Sequence, residues 1–174
     1  MNMHFKSGLA LVCLAFATSL SPAQDAKKEE PSASVITDPD DALKDIPRDV
    51  MGDLRPGSRQ MMDAAAKASM QAAKNAEGKT GTFKFNVRAV EKFQRPDAPD
   101  VTRYRILSVI DTTRASGVQV NVHLMAVLDL SEHEKAAKIG TGSKITLTGK
   151  ISNAEILGRQ KAELHIDLMD AKIK

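Results

Sequence analysis

Histidine and acidic side chains are the groups in this sequence that could bind a metal ion or transfer protons. His123 and His165 fall in two separate β-like segments, and His133 falls in a helical one. No two histidines or cysteines have the short spacing that is typical of zinc ligands. Asp167 and Asp170, three positions apart in a strand, would point to opposite faces. We therefore expect no metal site, no cofactor and no catalytic residue.

The sequence also lacks the residue combinations that identify common enzymes. It contains no phosphate-binding loop, no nucleotide-binding glycine fingerprint and no ordered Ser-His-Asp set. The tetrapeptide from Ser131 to Glu134 has the form of a capping box, which explains its polar residues as the start of a helix. The sequence therefore favours a binding protein, and an enzyme built from scattered residues in a cleft is the weaker alternative.

Basic and polar side chains alternate with apolar ones along three segments in the middle of the chain. In a strand with one buried face, such alternation places the polar set on the outer face. Lys and Arg on that face could bind anions, although a solvated sheet face without any ligand would show the same pattern. With two basic residues of a later turn, the candidate ligand-binding residues are Lys84, Arg88, Arg103, Arg105, Asn121, His123, Arg159 and Lys161.

Charge is distributed unevenly along the chain. From Gly78 onward there are 16 Lys and Arg against 11 Asp and Glu, whereas residues 24–77 carry 8 against 11. An acidic segment therefore precedes a basic one, although the formal net charge is only +3. The basic region favours an anionic partner. Alternatively, the acidic segment folds back over the basic face.

The first 23 residues have the features of a secretory signal peptide. Lys6 precedes an apolar run from Gly8 to Leu20, and Ser21 and Ala23 supply small residues for cleavage after Ala23. The run is short for a membrane span, so we expect no transmembrane segment in the mature chain. The sequence predicts a periplasmic or secreted protein, with retention as an N-terminal anchor as the alternative.

Two further segments precede the strands. Residues 24–57 are polar, acidic and proline-containing, without a sustained apolar period, which predicts a flexible leader. Residues 58–77 carry Ala and Met at spacings of three and four, which is typical of an amphipathic helix. Ser58 is a candidate N-cap and Gly78 a candidate stop. The small side chains of this helix favour close packing, either on the chain's own domain or on a partner.

From Thr80 the apolar period changes from three-and-four to two, which predicts strands. We expect five strands, with a helix between the third and the fourth. The alternation is interrupted after Ala89, at Gly149 and at Ser152, as it is in strands with bulges or sharp bends. The sequence thus predicts a mainly β domain over residues 78–174 in the order β-β-β-α-β-β.

The run Gly-x-x-Ile-x-Leu-x-Gly-x-Ile, from Gly142 to Ile151, joins this order of elements in a resemblance to a known family. Over about residues 80–174 the chain resembles bacterial OB-fold domains, in particular the anticodon-binding-like group. The resemblance implies a five-stranded OB-type barrel that binds oligomers on the outer face of its first three strands or at its rim loops. It implies no particular ligand, and it transfers no catalytic residue.

Together these observations predict an exported, non-catalytic binding protein that uses the outer face or the rim loops of the barrel. An anionic polysaccharide or an anionic head group fits the basic residues. Nucleic acid is disfavoured as a partner, because export separates the protein from it and because the aromatic residues that stack on bases make up only 3% of the chain. The alternative is a protein-interaction or assembly module of the cell envelope, using the Ala/Met helix and an exposed strand edge.

Overall fold

The computed structural model describes residues 34–96 and 98–174. The predicted signal peptide and the first part of the predicted leader lie outside these residues. The strands of the described part are β1 (Val35–Ile36), β2 (Thr80–Arg95), β3 (Ala98–Ser108), β4 (Asp111–Ala115), β5 (Val118–Leu128), β6 (Lys144–Gly158) and β7 (Ala162–Ile173). Its helices are α1 (Arg48–Asp53), α2 (Met61–Ala76) and α3 (His133–Ala136), with 3-10 segments at Pro39–Leu43 and Leu130–Glu132.

The five long strands form a closed ring. β2 pairs with β6 along its first half and with β3 along its second half, β3 pairs with β5, and β7 lies between β5 and β6. β5 and β7 run parallel, and the other pairings of the ring are antiparallel. The prediction is confirmed in this coarse form: the domain is mainly β, with five long strands and a helical segment between the third and the fourth.

The interruptions in the apolar alternation correspond to irregular pairing. β2 shifts its register against β3 at Arg88, next to the predicted break, and β6 shifts against β7 at Gly149 and Ser152. A Cβ atom at Gly149 would lie 2.9 Å from the carbonyl oxygen of Met169, so this bend requires glycine. Bulges increase the local coiling of a strand, which a ring of only five strands needs in order to close.

Residues 34–57, which belong to the predicted flexible leader, have regular secondary structure. β1 pairs in parallel with β2, and the first 3-10 segment and α1 follow it. The prediction of a loose tether is therefore wrong for residues 34–57. Their apolar residues are too sparse to show a period, yet they complete a core that the later strands begin. The buried side chains of this segment are Ile36, Ala42, Leu43, Ile46, Met51 and Leu54.

The Ala/Met helix packs on its own domain, against β6 and the N-terminal segment. The Ser69 hydroxyl accepts a hydrogen bond from the Ile156 N–H at 2.8 Å and donates one to the Ile156 carbonyl at 3.0 Å. These bonds satisfy backbone groups on the side of β6 that faces away from β7. Five of the residues that α2 buries have the predicted spacing of three and four, and Ala64 is the addition. The buried residues are Met61, Ala64, Ala65, Ala68, Ala72 and Ala76. No helix of the described residues is long and apolar enough to cross a membrane.

Helix ends depart from the prediction in detail. The Ser58 hydroxyl accepts from the Gln60 N–H in a turn that precedes α2 instead of capping the helix. Gly78, with φ of 78°, follows the end of α2 as predicted. The helical segment between β5 and β6 is capped by Asp129, whose carboxylate accepts from the Ser131 N–H at 2.9 Å. The capping box predicted at Ser131 is therefore wrong, because an aspartate two residues earlier supplies the acceptor.

Candidate functional site

The predicted binding residues lie on the outside of the ring or in a turn. Lys84, Asn121 and His123 each lie between two buried neighbours in sequence, and Arg88 and Arg105 each have one, so the strand alternation directs them outward. Arg103 has no buried neighbour in sequence. Arg103 and Arg105 lie where β3 pairs with β2, whereas Asn121 and His123 lie where β5 pairs with β4 and β7. The last two residues lie in the turn before β7. By element they are Lys84 and Arg88 (β2), Arg103 and Arg105 (β3), Asn121 and His123 (β5), and Arg159 and Lys161 (β6–β7 turn).

The two arginines of β3 are neutralised by acidic residues from other strands. Arg105 Nε lies 2.7 Å from a carboxylate oxygen of Glu91, its register partner on β2. Arg103 lies 3.7 Å from the carboxylate of Asp170, on β7. The local sequence did not reveal these pairs, because strand pairing alone brings the partners together. The surface is therefore less positive than its lysines and arginines suggested.

An aromatic ring lies among these arginines. Phe93 is the register partner of Arg103, and the Arg105 guanidinium lies 5.7 Å from the centre of its ring. The side chain is only partly buried. Arg105 therefore combines an ion pair with a cation–π contact, and the outside of β2 and β3 carries an aromatic ring. α2 packs on β6. This strand does not carry Arg103 or Arg105, and it does not pair with β3, which does.

A histidine cluster, which we define as His123, Glu163 and His165, lies on the outside of β5 and β7. The parallel pairing of these strands makes His123 and His165 register partners, and their rings stack at 4.5 Å between centres with an angle of 8° between planes. A Glu163 carboxylate oxygen lies 3.4 Å from His165 Nε2 and 4.0 Å from His123 Nε2. The sequence correctly placed the histidines on separate strands, but it did not show that the strands are neighbours.

The surroundings of His123 favour its neutral form. Burial lowers the pKa of the His123 imidazole, and the positive potential of His165 and Arg88 acts in the same direction. Glu163 opposes this effect by stabilising the charged ring. A lowered pKa leaves a ring nitrogen with a free lone pair at neutral pH.

The pKa of Asp167, also on the outside of β7, is shifted upward, whereas that of His123 is shifted downward. Burial raises the pKa of its carboxyl, and the hydrogen bond that Asn153 donates at 3.3 Å partly offsets this.

A cavity of about 460 Å³ opens at the mouth of the ring. Apolar residues of the ring interior reach it, and its rim carries Lys84 and Lys144 together with three aspartates. The hydroxyl of Thr113 donates a hydrogen bond to the Asp40 carboxylate. The acidic segment thus folds back to the mouth beside Lys84 and not over the arginines of β3. Among the lining residues are Phe83, Phe85, Val122, Leu124, Asp38, Asp40 and Asp111.

No protein-family model and no curated protein matches this chain. Among solved structures, the chain is similar to a proposed nucleic acid-binding lipoprotein from Klebsiella pneumoniae, with 12% identity over 60% of this chain and 76% of that one, and a TM-score of 0.34. It is also similar to the small single-stranded DNA-binding protein from Streptomyces coelicolor, with 10% identity over 55% of this chain and 93% of that one, and a TM-score of 0.35.

The expectation that nucleic acid is a disfavoured partner is wrong, because both of these similar structures are described as nucleic acid-binding proteins. The low aromatic content did not reveal that one ring, Phe93, lies beside Arg103 and Arg105. The two similarities assign no ligand to this chain.

Proposed function

We propose that this protein is a non-catalytic binding protein whose OB-type ring holds a single-stranded anionic oligomer along the outside of β2, β3 and β5. The observation that carries the proposal is the contact between Arg105 and the partly exposed ring of Phe93, with the exposed cations Lys84 and Arg88 on the same side of β2. OB-type rings bind oligomers on the corresponding strands.

The residues supply two kinds of contact. Lys84 and Arg88 have no ion-pair partner among the described residues and are free to contact phosphate or carboxylate groups. Phe93 offers a face on which a base can stack, a contact worth about 1–3 kcal/mol per base. Asn121 and His123 add hydrogen-bonding groups on β5, in the part of that strand that lies between β4 and β7. A short oligonucleotide is therefore the first ligand to test.

The test is fluorescence anisotropy with a labelled oligothymidylate and, separately, with inorganic polyphosphate of matched charge as competitor. We expect oligonucleotide binding that weakens steeply with salt, as phosphate contacts require. Arg88→Glu should weaken the binding of both ligands. Phe93→Ala should weaken oligonucleotide binding about 5-fold or more. It should leave polyphosphate binding nearly unchanged, because polyphosphate has no bases to stack.

Lys74→Glu is the matched control. Lys74 is an exposed cation of α2, the helix that packs on β6. This variant should bind as the unchanged protein does. Absence of oligonucleotide binding at low salt, or equal losses in Lys74→Glu and Arg88→Glu, would refute the proposed surface.

Export to the periplasm or the medium is part of the same proposal and rests on the signal-like residues 1–23. Mass spectrometry of the chain recovered from the periplasmic fraction should show a mature protein that begins at Gln24. A full-length chain in the cytoplasmic fraction would contradict export without affecting the oligomer-binding surface.

A further inference from the structure

The histidine cluster brings three potential metal ligands to one point. One donor atom from each of His123, Glu163 and His165 lies within 4.8 Å of the other two. The two measured distances to the Glu163 oxygen are 3.4 Å and 4.0 Å. Ligands at about 2.0–2.2 Å from a tetrahedral zinc ion are themselves about 3.3–3.6 Å apart, so the two distances to Glu163 are close to those around a bound ion.

We propose that His123, Glu163 and His165 bind one divalent transition-metal ion on the outside of β5 and β7. Two imidazole nitrogens and one carboxylate oxygen are a donor set that suits Zn²⁺ and its neighbours in the first transition row. Three protein ligands leave a position open for water or for a group of another molecule. This inference goes beyond the proposed oligomer binding, with which it shares only His123.

The backbone fixes the positions from which these ligands extend. His123 and His165 face each other across the parallel ladder, and Glu163 is the register partner of Asn121 two residues away. Side chains based on paired strands are held more precisely than side chains on loops. The sequence could not show this arrangement, because β6 and the connections on either side of it separate His123 from Glu163 and His165 along the chain.

The ring orientations must change when the ion binds. The two imidazoles are now stacked in nearly parallel planes, so an ion cannot lie in both planes at once. The χ2 torsion of histidine is broad and turns readily. His123 Nε2 is buried and has no hydrogen-bond partner among the described residues, so its rotation toward Glu163 breaks no existing hydrogen bond.

The charges around the cluster favour a dication. Glu155 is the register partner of His165 on β6, and Asp167 follows on the same side of β7. These carboxylates and Glu163 surround the site with negative charge, against which Arg88 is the cation that acts on His123. Without an ion, the same residues would form only a stacked pair of histidines beside an acidic residue, and the experiment must separate these two cases.

The experiment is isothermal titration calorimetry of the full chain with ZnCl₂, using protein prepared without a histidine tag. We expect one ion per chain, and a melting temperature that rises with Zn²⁺ because the ion binds the folded state. His123→Ala, His165→Ala and Glu163→Gln should each weaken binding by at least about 10-fold, because losses of this size already follow from changes to outer-shell groups. A Co²⁺ titration should produce visible absorption bands that each variant loses.

Glu134→Gln is the control, since it removes the same charge from an exposed residue of α3 that does not belong to the cluster. It should change Zn²⁺ affinity by less than about 2-fold, as expected for a change limited to charge near the surface. Equal losses in Glu134→Gln and Glu163→Gln, retention of the site in both histidine variants, or no Zn²⁺ binding by the unchanged protein would each overturn the proposal. Circular dichroism of every variant, and His123→Gln as a second substitution, distinguish loss of the site from loss of the fold.

Discussion

The ring has two contrasting sides. On the β6 side, α2 packs so closely on Gly158 that a Cβ atom at this position would lie only 2.7 Å from the Met61 carbonyl oxygen. Alanine side chains and two hydrogen bonds to Ile156 form this contact. On the β5–β7 side, the same strand alternation presents imidazoles and carboxylates, such as His165 and Asp167, that are only partly buried.

This difference shows what the N-terminal segment does. The covered side has small residues and satisfied backbone groups, so it contributes to stability. The other side carries titratable groups whose partners lie on adjacent strands, and it can bind without disturbing the core. Substitutions on the covered side should therefore change stability at every pH, whereas substitutions on the other side should change binding or pH dependence.

The strongest test of the covered side is Gly158→Ala. The added methyl would contact the backbone of Met61 and the side chain of Ala65, so α2 must shift away from β6. We expect a loss of about 1–3 kcal/mol in the free energy of unfolding, as for other overpacked sites, measured by urea denaturation. Gly140→Ala, where nothing lies within 4 Å of the added atom, should be nearly neutral. Equal effects would show that the close contact is not tight.

Ser69→Ala should have a somewhat smaller effect. It removes both hydrogen bonds to Ile156 and leaves a partly buried N–H without that acceptor, which should destabilise the protein by about 1 kcal/mol. Ser152→Ala is the comparison, because the Ser152 hydroxyl makes an exposed bond to the Asp167 carbonyl at 3.2 Å. If thermal melts show the two variants to be equally stable, α2 does not protect the edge of β6.

Asp167→Asn tests the pH dependence of the other side. Because burial raises the pKa of this carboxyl in the folded state, the unfolded state loses its proton at lower pH than the folded state. The contribution of Asp167 to the stability of the unchanged protein should therefore fall as pH rises from about 4 toward neutrality. The variant has no proton to lose, so it should be more stable than the unchanged protein at pH 7 and equal to it at pH 3. A variant that is less stable at pH 7 would contradict this sign.

The smallest effect on stability is expected for Glu91→Gln. The ion pair with Arg105 is partly exposed on both sides, so its loss should change the free energy of unfolding by less than about 1 kcal/mol. The released guanidinium should instead strengthen oligonucleotide binding in the anisotropy assay. Glu134→Gln, an equal charge change on an exposed residue of α3, should leave binding unaltered. Weaker binding in Glu91→Gln would place Arg105 outside the binding surface.

Several features of the fold followed from the sequence, because short-range chemistry determines them. The three-and-four spacing of Ala65, Ala68 and Ala72 predicted which stripe of α2 is buried, and the structure confirms it. Gly149 predicted a bend, and the position has no space for a side chain. Period and steric size act within a few residues, so a single sequence is sufficient to read them.

Other features could be seen only in the tertiary structure. β4 is not one of the five predicted strands, but it pairs with β5 through a tight connection at Ser116 and Gly117, with φ of 49° and 79°. The segment from Ser34 to Gly57 was taken for a tether because its few apolar residues show no period. Contacts with a core supplied by the rest of the chain decide both structures.

The candidate sites divide in the same way. The alternation along β2, β3 and β5 determined that Lys84, Arg88 and His123 would face outward. Only the pairing of strands decided that Glu91 would neutralise Arg105, and that His165 would meet His123 across a parallel ladder. The physical reason is range: alternation is a property of one strand, whereas ion pairs and metal ligands depend on which strands become neighbours when the ring closes.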